Sequence, residues 1–236
     1  MAIGKELASW QQDLAIHAKQ VAHNEGSDSS AITIQHGRMM YHDQEVPGNS
    51  LDVIIVASTA ENCYYDGPYD PDKVSSPACF SMSLDPHDMV PHENVVNPVS
   101  ASCNGCPNNE FGSKGKGKAC KNYRKLIMIP ANTQPEDVAK AELAYVKVSP
   151  TSVNNWKKYA QQLVASAGIP PWAASTRIKV VPDKKTIHQV LFEGIAPLED
   201  SSLLSAIHAR IEEAEQMLLR PYTYDEDTTD QSSAKY

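Results

Sequence analysis

Apolar residues recur at steps of three and four positions in three segments of the chain, and this spacing predicts three amphipathic helices. The first helix is expected within residues 1–25, the second directly after residues 149–152, and the third within residues 196–222. The second helix has clear limits, because Ser149 and Pro150 are typical of a helix start and Gly168 followed by two prolines is typical of a helix end.

Between the first and third helices, short apolar runs predict β-strands. They lie at residues 31–41, 51–57, 126–129 and 143–148, with a closing hairpin at 177–181 and 187–192. With 126–129 and 143–148 taken as one strand region, three strand regions, a helix and two more strands follow the order of the five-stranded OB barrel, although other α+β arrangements share this order. We therefore expect an α+β protein with an OB-like five-stranded barrel at residues 30–195, flanked by N- and C-terminal helices.

Residues 58–124 interrupt this pattern. They contain all five cysteines and many prolines and show little periodicity. A bare loop of this length is uncommon in a compact domain, so something other than an apolar core is expected to order it. The sequence predicts an insertion in the barrel that a metal ion stabilises.

The spacing of the cysteines indicates the metal site. Cys103 and Cys106 form a Cys-x-x-Cys pair, with thirteen residues between Cys106 and Cys120 and with Cys79 upstream. Four thiolates around one turn suit a closed tetrahedral zinc site. An iron–sulfur cluster uses the same donors and is an alternative to zinc. His87 or His92 is an alternative to Cys79 as the fourth ligand. The remaining interpretation is that the cysteines bind no metal and are free thiols. Cys63 is expected to be a small buried filler.

A basic and aromatic segment overlaps the last predicted ligand. Residues 110–125 hold six basic residues and one acidic residue, a net charge of +5 in a chain of −8. Cationic groups beside aromatic rings are what single-stranded nucleic acid requires, since bases stack and phosphates pair with charge. A solvated loop is the alternative. The candidate contacts are Lys114, Lys116, Lys118, Lys121, Arg124, Lys125, Phe111, Tyr123, Tyr64 and Tyr65.

The overall charge and apolar content restrict the function classes. A net charge of −8 argues against binding of nucleic acid through bulk charge, and leaves local patches as the route. No run approaches the roughly 20 apolar residues of a membrane span, and the first residues lack the apolar region of a secretory signal. We expect a cytoplasmic protein, in which cysteines bind metal or stay free.

Catalysis has weak support in the sequence. Asp85, His87, Asp88, His92 and Glu93 cluster in the insertion, but they match no catalytic metal spacing, and no nucleophile motif stands out. The sequence favours a protein that is not an enzyme. A metal-dependent nuclease and a zinc-ribbon adaptor that binds host or phage proteins of replication or transcription remain alternatives.

The cysteine, glycine and lysine block resembles a group of bacteriophage-encoded, zinc-containing single-stranded DNA-binding proteins of the OB type. The resemblance rests on Pro77-Ala-Cys79, Ser102-Cys-Asn-Gly-Cys-Pro107, Phe111-Gly-Ser113 and Gly115-Lys-Gly-Lys-Ala-Cys120. It implies a role in phage DNA replication or recombination in the host cytoplasm, with the cysteines as ligands and the basic and aromatic positions facing DNA.

Residues 223–236 form a polar, acidic tail, expected to be disordered, which in such proteins recruits replication partners. Lys235 near its end departs from that pattern.

Overall fold

The computed structural model describes residues 30–67 and 76–222 of the 236-residue chain. The predicted N-terminal helix at 1–25 and the acidic tail at 223–236 lie outside the described residues. The described part is a mixed α+β structure in which one curled, open sheet forms a half-barrel, with helices packed on both of its faces. The α+β prediction is confirmed.

The described residues form nine strands and three α-helices. The strands are β1 (Ala31–Gln35), β2 (Arg38–Tyr41), β3 (Gln44–Glu45), β4 (Ser50–Tyr64), β5 (Cys79–Ser83), β6 (Lys121–Pro130), β7 (Ala144–Val148), β8 (Ala174–Asp183) and β9 (Ile187–Pro197). The helices are α1 (Val153–Ala167), α2 (Ser201–His208) and α3 (Ile211–Leu218).

Strand β4 organises the sheet, whose strand order is β3-β2-β1-β7-β6-β4-β8-β9. Along one edge β4 pairs with β6, and along the other its first half pairs with β8 and its last residues pair with β5. An irregularity in the β4–β6 register between Ile55 and Ala57 bends the long strand, as β-bulges do. All pairings are antiparallel except that of β1 with β7.

The two faces of the sheet bury two separate apolar cores. On one face, Trp156 and Tyr159 of α1 pack against apolar residues of several strands, among them Val53 and Leu126. On the other face, α2 and α3 cover a second core that contains Ile54 and Ile127. Adjacent residues on a strand point to opposite faces, so each strand contributes to both layers.

Two predicted elements are divided in the structure. Residues 31–41 form a hairpin rather than one strand, because His36 and Gly37 both adopt positive φ angles, 52° and 79°, and make a tight turn between β1 and β2. The predicted C-terminal helix at 196–222 is two helices, α2 and α3. A turn at Ala209 and Arg210 separates the two helices, and the Arg210 side chain donates hydrogen bonds to the carbonyls of Val138 and Ala141.

The predicted insertion at 58–124 is more regular than its sequence indicates. Strand β4 continues to Tyr64, β5 lies inside the insertion, and β6 begins at Lys121. The part without helix or strand pairing is therefore shorter than predicted. None of the helices in residues 30–67 and 76–222 is long and apolar enough to cross a membrane.

Candidate nucleic-acid interface and cysteine cluster

Strand pairing brings the distant cysteines to one end of the sheet. Cys79, the first residue of β5, lies opposite Tyr64 on β4, while Lys121, the first residue of β6, lies opposite Cys63 on the other edge of β4. Cys120 directly precedes Lys121, so Cys79 and Cys120 flank the end of β4. The sheet thus brings two residues that are 41 positions apart in the sequence to the same end of β4, one on each side of this strand.

The Cys-x-x-Cys pair lies between them on a tight turn. Gly105 within the pair has a φ of 76°, which a residue with a side chain adopts only with strain. The amide of Cys103 donates to Met89 O at 2.9 Å, and the Asn109 side-chain amide donates to Cys103 O at 2.8 Å. These bonds hold the turn over the end of the sheet, where Cys103, Cys106 and Cys120 are buried.

All four predicted ligands line one small cavity of about 20 Å³. A cavity of this size has room for about one water-sized body. Burial raises the pKa of Cys120 to about 12, with further increases from the nearby cysteines. Burial also raises the pKa of Cys79.

Thiolates converging on one small space are the donors that zinc takes. The described side chains nevertheless contain no group of three His, Cys, Asp or Glu already arranged to hold a metal ion. The chemistry of the donor set therefore fits zinc.

The glycine and lysine residues before Cys120 form a turn that projects from this cluster; we name residues 112–118 the Gly–Lys turn. Gly117 N donates to Lys114 O at 3.0 Å, and Gly112 N donates to Gly117 O at 2.9 Å. The Ser113 hydroxyl accepts from Ala119 N at 2.9 Å and fixes the base of the turn. The side chains of Lys114 and Lys116 are exposed.

An exposed aromatic ring accompanies these charges. Phe111 is 80% exposed, and the Lys118 ammonium lies 5.1 Å from its ring centroid. Lys118 also donates to Asn109 Oδ1 at 3.3 Å. In the described part of the chain, Lys114, Lys116 and Lys118 form no ion pair. The structure therefore groups an exposed ring with ammonium groups that have no ion-pair partner among the described residues, the combination that stacks bases and pairs phosphates.

The remaining predicted basic residues do not join this group. Residues 121–125 belong to β6, so their side chains alternate between the two faces of the sheet. Lys121 donates to Lys118 O at 2.7 Å, Arg124 is buried on the α1 side, and Lys125 forms an ion pair on the opposite face. The basic segment is thus divided among a turn, a buried position and a buried ion pair.

The other predicted aromatic residues lie beside β4 and β6. Tyr64 is half-buried, Tyr65 is 39% exposed, and Tyr123 is half-buried beneath the Lys147 ammonium, 4.1 Å from its ring centroid. Burial raises the pKa of Tyr123 to about 12. Of the predicted aromatic contacts, Phe111 and Tyr65 are the most exposed.

A buried carboxylate that sequence reasoning missed lies on the face of β4 opposite Arg124. Glu61 is fully buried and forms ion pairs with Lys125, at 2.8 Å, and with Lys147. The Tyr222 hydroxyl donates to Glu61 Oε1 at 2.9 Å. Burial acts to raise the pKa of Glu61, but the two ammonium groups outweigh it, so the pKa lies below its ordinary value. We name Glu61, Lys125, Lys147 and Tyr222 the Glu61 network.

Cys63 lies between this network and the other cysteines, since Cys79 packs against the same apolar cluster. Cys63 packs against Phe80 and Val95, and its sulfur lies 3.6 Å from the Tyr222 hydroxyl. Burial raises its pKa to about 11, so Cys63 stays a neutral thiol. The sequence did not indicate this residue, because position 61 lies beyond the strand predicted at 51–57; only the continuation of β4 to Tyr64 makes Glu61 an acidic residue inside a buried strand, where it requires a partner.

The acidic and histidine residues of the insertion stabilise local turns. Asp85 Oδ1 accepts from His87 N at 2.8 Å, and His92 Nδ1 accepts from Asn94 N at 3.1 Å. The His92 ring stacks on the Phe80 ring, with 4.8 Å between the ring centroids.

Comparisons with models of protein families, with curated proteins and with solved structures found no match for this chain.

Proposed function

We propose that the protein binds single-stranded DNA without catalysis and protects it during phage replication or recombination in the host cytoplasm. The observation that carries the proposal is the 80% exposed Phe111 ring beside Lys118, on a turn whose exposed Lys114 and Lys116 have no ion-pair partner in the described chain. Such a surface offers stacking to bases and charge to phosphates without reading sequence.

The strand order supports an OB-type barrel within the larger sheet. The path β7-β6-β4-β8-β9, with α1 between β7 and β8, follows strand–strand–strand–helix–strand–strand in chain order. In this interpretation β4 is the first strand of the barrel and pairs with both its second strand, β6, and its fourth strand, β8. The β1–β2 hairpin adds two strands to the sheet beyond β7. OB proteins bind oligonucleotides on strands two and three and on the loops after strands one and four. Here the first of these loops carries the Gly–Lys turn, and the second carries Lys184 and Lys185.

Zinc at Cys79, Cys103, Cys106 and Cys120 has a structural role in this proposal. A bound ion would hold the Cys-x-x-Cys turn to the ends of β5 and β6, and so would fix the base of the Gly–Lys turn. We further propose that the acidic tail at 223–236 recruits replication proteins and competes with DNA for the basic turn, since its charge is opposite to that of the turn.

A titration of labelled oligo-dT followed by fluorescence anisotropy, repeated over a series of salt concentrations, tests the proposal. We expect binding that weakens steeply as salt rises, because each phosphate contact releases counterions. Strand cleavage that depends on Mg²⁺ would assign the protein to the nucleases. Absence of oligonucleotide binding at every salt concentration would refute the proposal and favour an adaptor of other proteins.

A further inference from the structure

A polar cavity of about 270 Å³ lies on the α1 face of the sheet, below the cysteine-rich segment. Its lining includes Arg124 from β6, Val153 and Lys157 from α1, and His87 and Asn104 from the insertion. None of the described residues that line it is acidic. The cavity therefore combines basic and amide side chains without a compensating carboxylate.

Arg124 is the unusual member of this lining. It is 6% exposed, and its Nε is a buried donor that has no hydrogen-bond partner in the described structure. It also forms no ion pair there, whereas Lys125, the next residue, is paired with Glu61. Burial lowers the pKa of Arg124, yet a guanidinium stays charged in proteins. A buried, unpaired charge is costly, so this position calls for an anion.

The surroundings of Arg124 suit an anion with several oxygen atoms. Val153 is the first residue of the 15-residue helix α1, whose N-terminal end carries the positive end of the helix dipole. Lys157, one turn further along α1, adds an exposed ammonium at the cavity. A guanidinium binds phosphate in a planar, bidentate manner, and helix N-termini bind phosphate through backbone amides.

We propose that this cavity is a phosphate site in which Arg124 binds one phosphate group of a nucleotide or of a single strand. The volume is many times the roughly 10–15 Å³ that a single water molecule requires on the same measure, so the cavity has room for a phosphate and part of the attached sugar. For a single strand, the inference rests on the function proposed above. For a free nucleotide, the inference rests on the cavity and its lining residues alone.

The test is thermal unfolding of the full chain with inorganic phosphate, dTMP or oligo-dT, against chloride at the same ionic strength. A ligand that binds only the folded state raises the melting temperature. The critical variant is Arg124→Met, and its control is Arg177→Met, which removes a strand arginine that is already paired with Asp52 at 2.6 Å. We expect stabilisation by phosphate in the wild type and in Arg177→Met, and a loss of affinity on the order of tenfold or more in Arg124→Met.

Stability without ligand separates a binding residue from a structural one. If Arg124 serves a ligand, Arg124→Met should be at least as stable as the wild type in chloride, because the substitution removes a buried, unpaired charge. Stabilisation by phosphate or dTMP that depends on Arg124 supports a free phosphate ester, even if oligo-dT does not bind. An effect of Arg124 on oligo-dT alone supports the backbone of a strand. The proposal is overturned if no probe stabilises the wild type more than chloride, or if Arg124→Met keeps the full effect.

Discussion

Replacement of Glu61 by glutamine should destabilise the protein by about 3 kcal/mol, the lower end of the cost of breaking a buried ion pair. Glutamine preserves the shape of the side chain but leaves two ammonium groups without a carboxylate. The side chains of Lys125 and Lys147 are 17% and 30% exposed, so water offsets part of the lost interaction. For a chain of this size, the melting temperature should fall by about 6–12 °C.

The matched control is Asp52→Asn, which makes the same chemical change on the same strand. Asp52 pairs with Arg177 at 2.6 Å, but both side chains are more than 40% exposed, so the cost should be about 0–1 kcal/mol. Urea unfolding at neutral pH measures both variants, with unchanged slopes confirming that only stability changed. If Glu61→Gln costs no more than Asp52→Asn, the Glu61 network does not stabilise the fold and this reasoning is refuted.

Three further outcomes are expected. Because the pKa of Glu61 is lowered in the folded state, its contribution to stability is present above the ordinary pKa of about 4.3 and is lost as the pH falls through the folded pKa. The wild type should therefore lose stability in acid more steeply than Glu61→Gln. If urea unfolding gives the two proteins the same dependence of stability on pH across this range, the lowered pKa is contradicted. Metal analysis should find about one zinc ion per chain in the wild type and in the control Cys63→Ala. The variant Cys106→Ser should lose the zinc ion and, with it, the protease resistance of the insertion. Full zinc occupancy in Cys106→Ser would exclude the proposed ligands. Removal of residues 225–236, which carry a net charge of −3, should strengthen oligo-dT binding most at low salt, and equal affinities at every salt concentration would mean that the tail does not compete.

Most strands and α1 were predictable because their apolar spacing is local, whereas β3 and β5 were not predicted. Two elements that the sequence predicts as continuous are divided in the structure, and these divisions depend on backbone angles and on contacts with distant residues. The hairpin between β1 and β2 turns at His36 and Gly37, whose positive φ angles form a tight turn inside a run that its apolar alternation predicts as one strand. The break between α2 and α3 coincides with Arg210, whose side chain binds carbonyls 69 and 72 residues away.

The candidate site shows the same division between local and distant information. The four cysteines were predicted as a group from their spacing, and they do line one cavity. The basic segment was treated as one surface because its charges are adjacent in sequence. Once residues 121–125 became part of β6, the alternation of the strand sent Arg124 and Lys125 to opposite faces. The Glu61 network was beyond local reasoning, because Tyr222 lies 161 residues from Glu61.

The most direct test of the central claim is the salt dependence of oligo-dT binding by two variants with the same loss of charge. One replaces Lys114 and Lys116 of the Gly–Lys turn by glutamine, and the other replaces Lys140 and Lys158, which are also exposed but lie elsewhere on the protein, by glutamine. We predict that the turn variant binds more weakly and that the slope of log K against log salt falls by about 1.4, since each lost phosphate contact contributes about 0.7 for single strands. The control variant should keep the wild-type slope. Identical affinities and slopes for the two variants would contradict a DNA interface at the Gly–Lys turn.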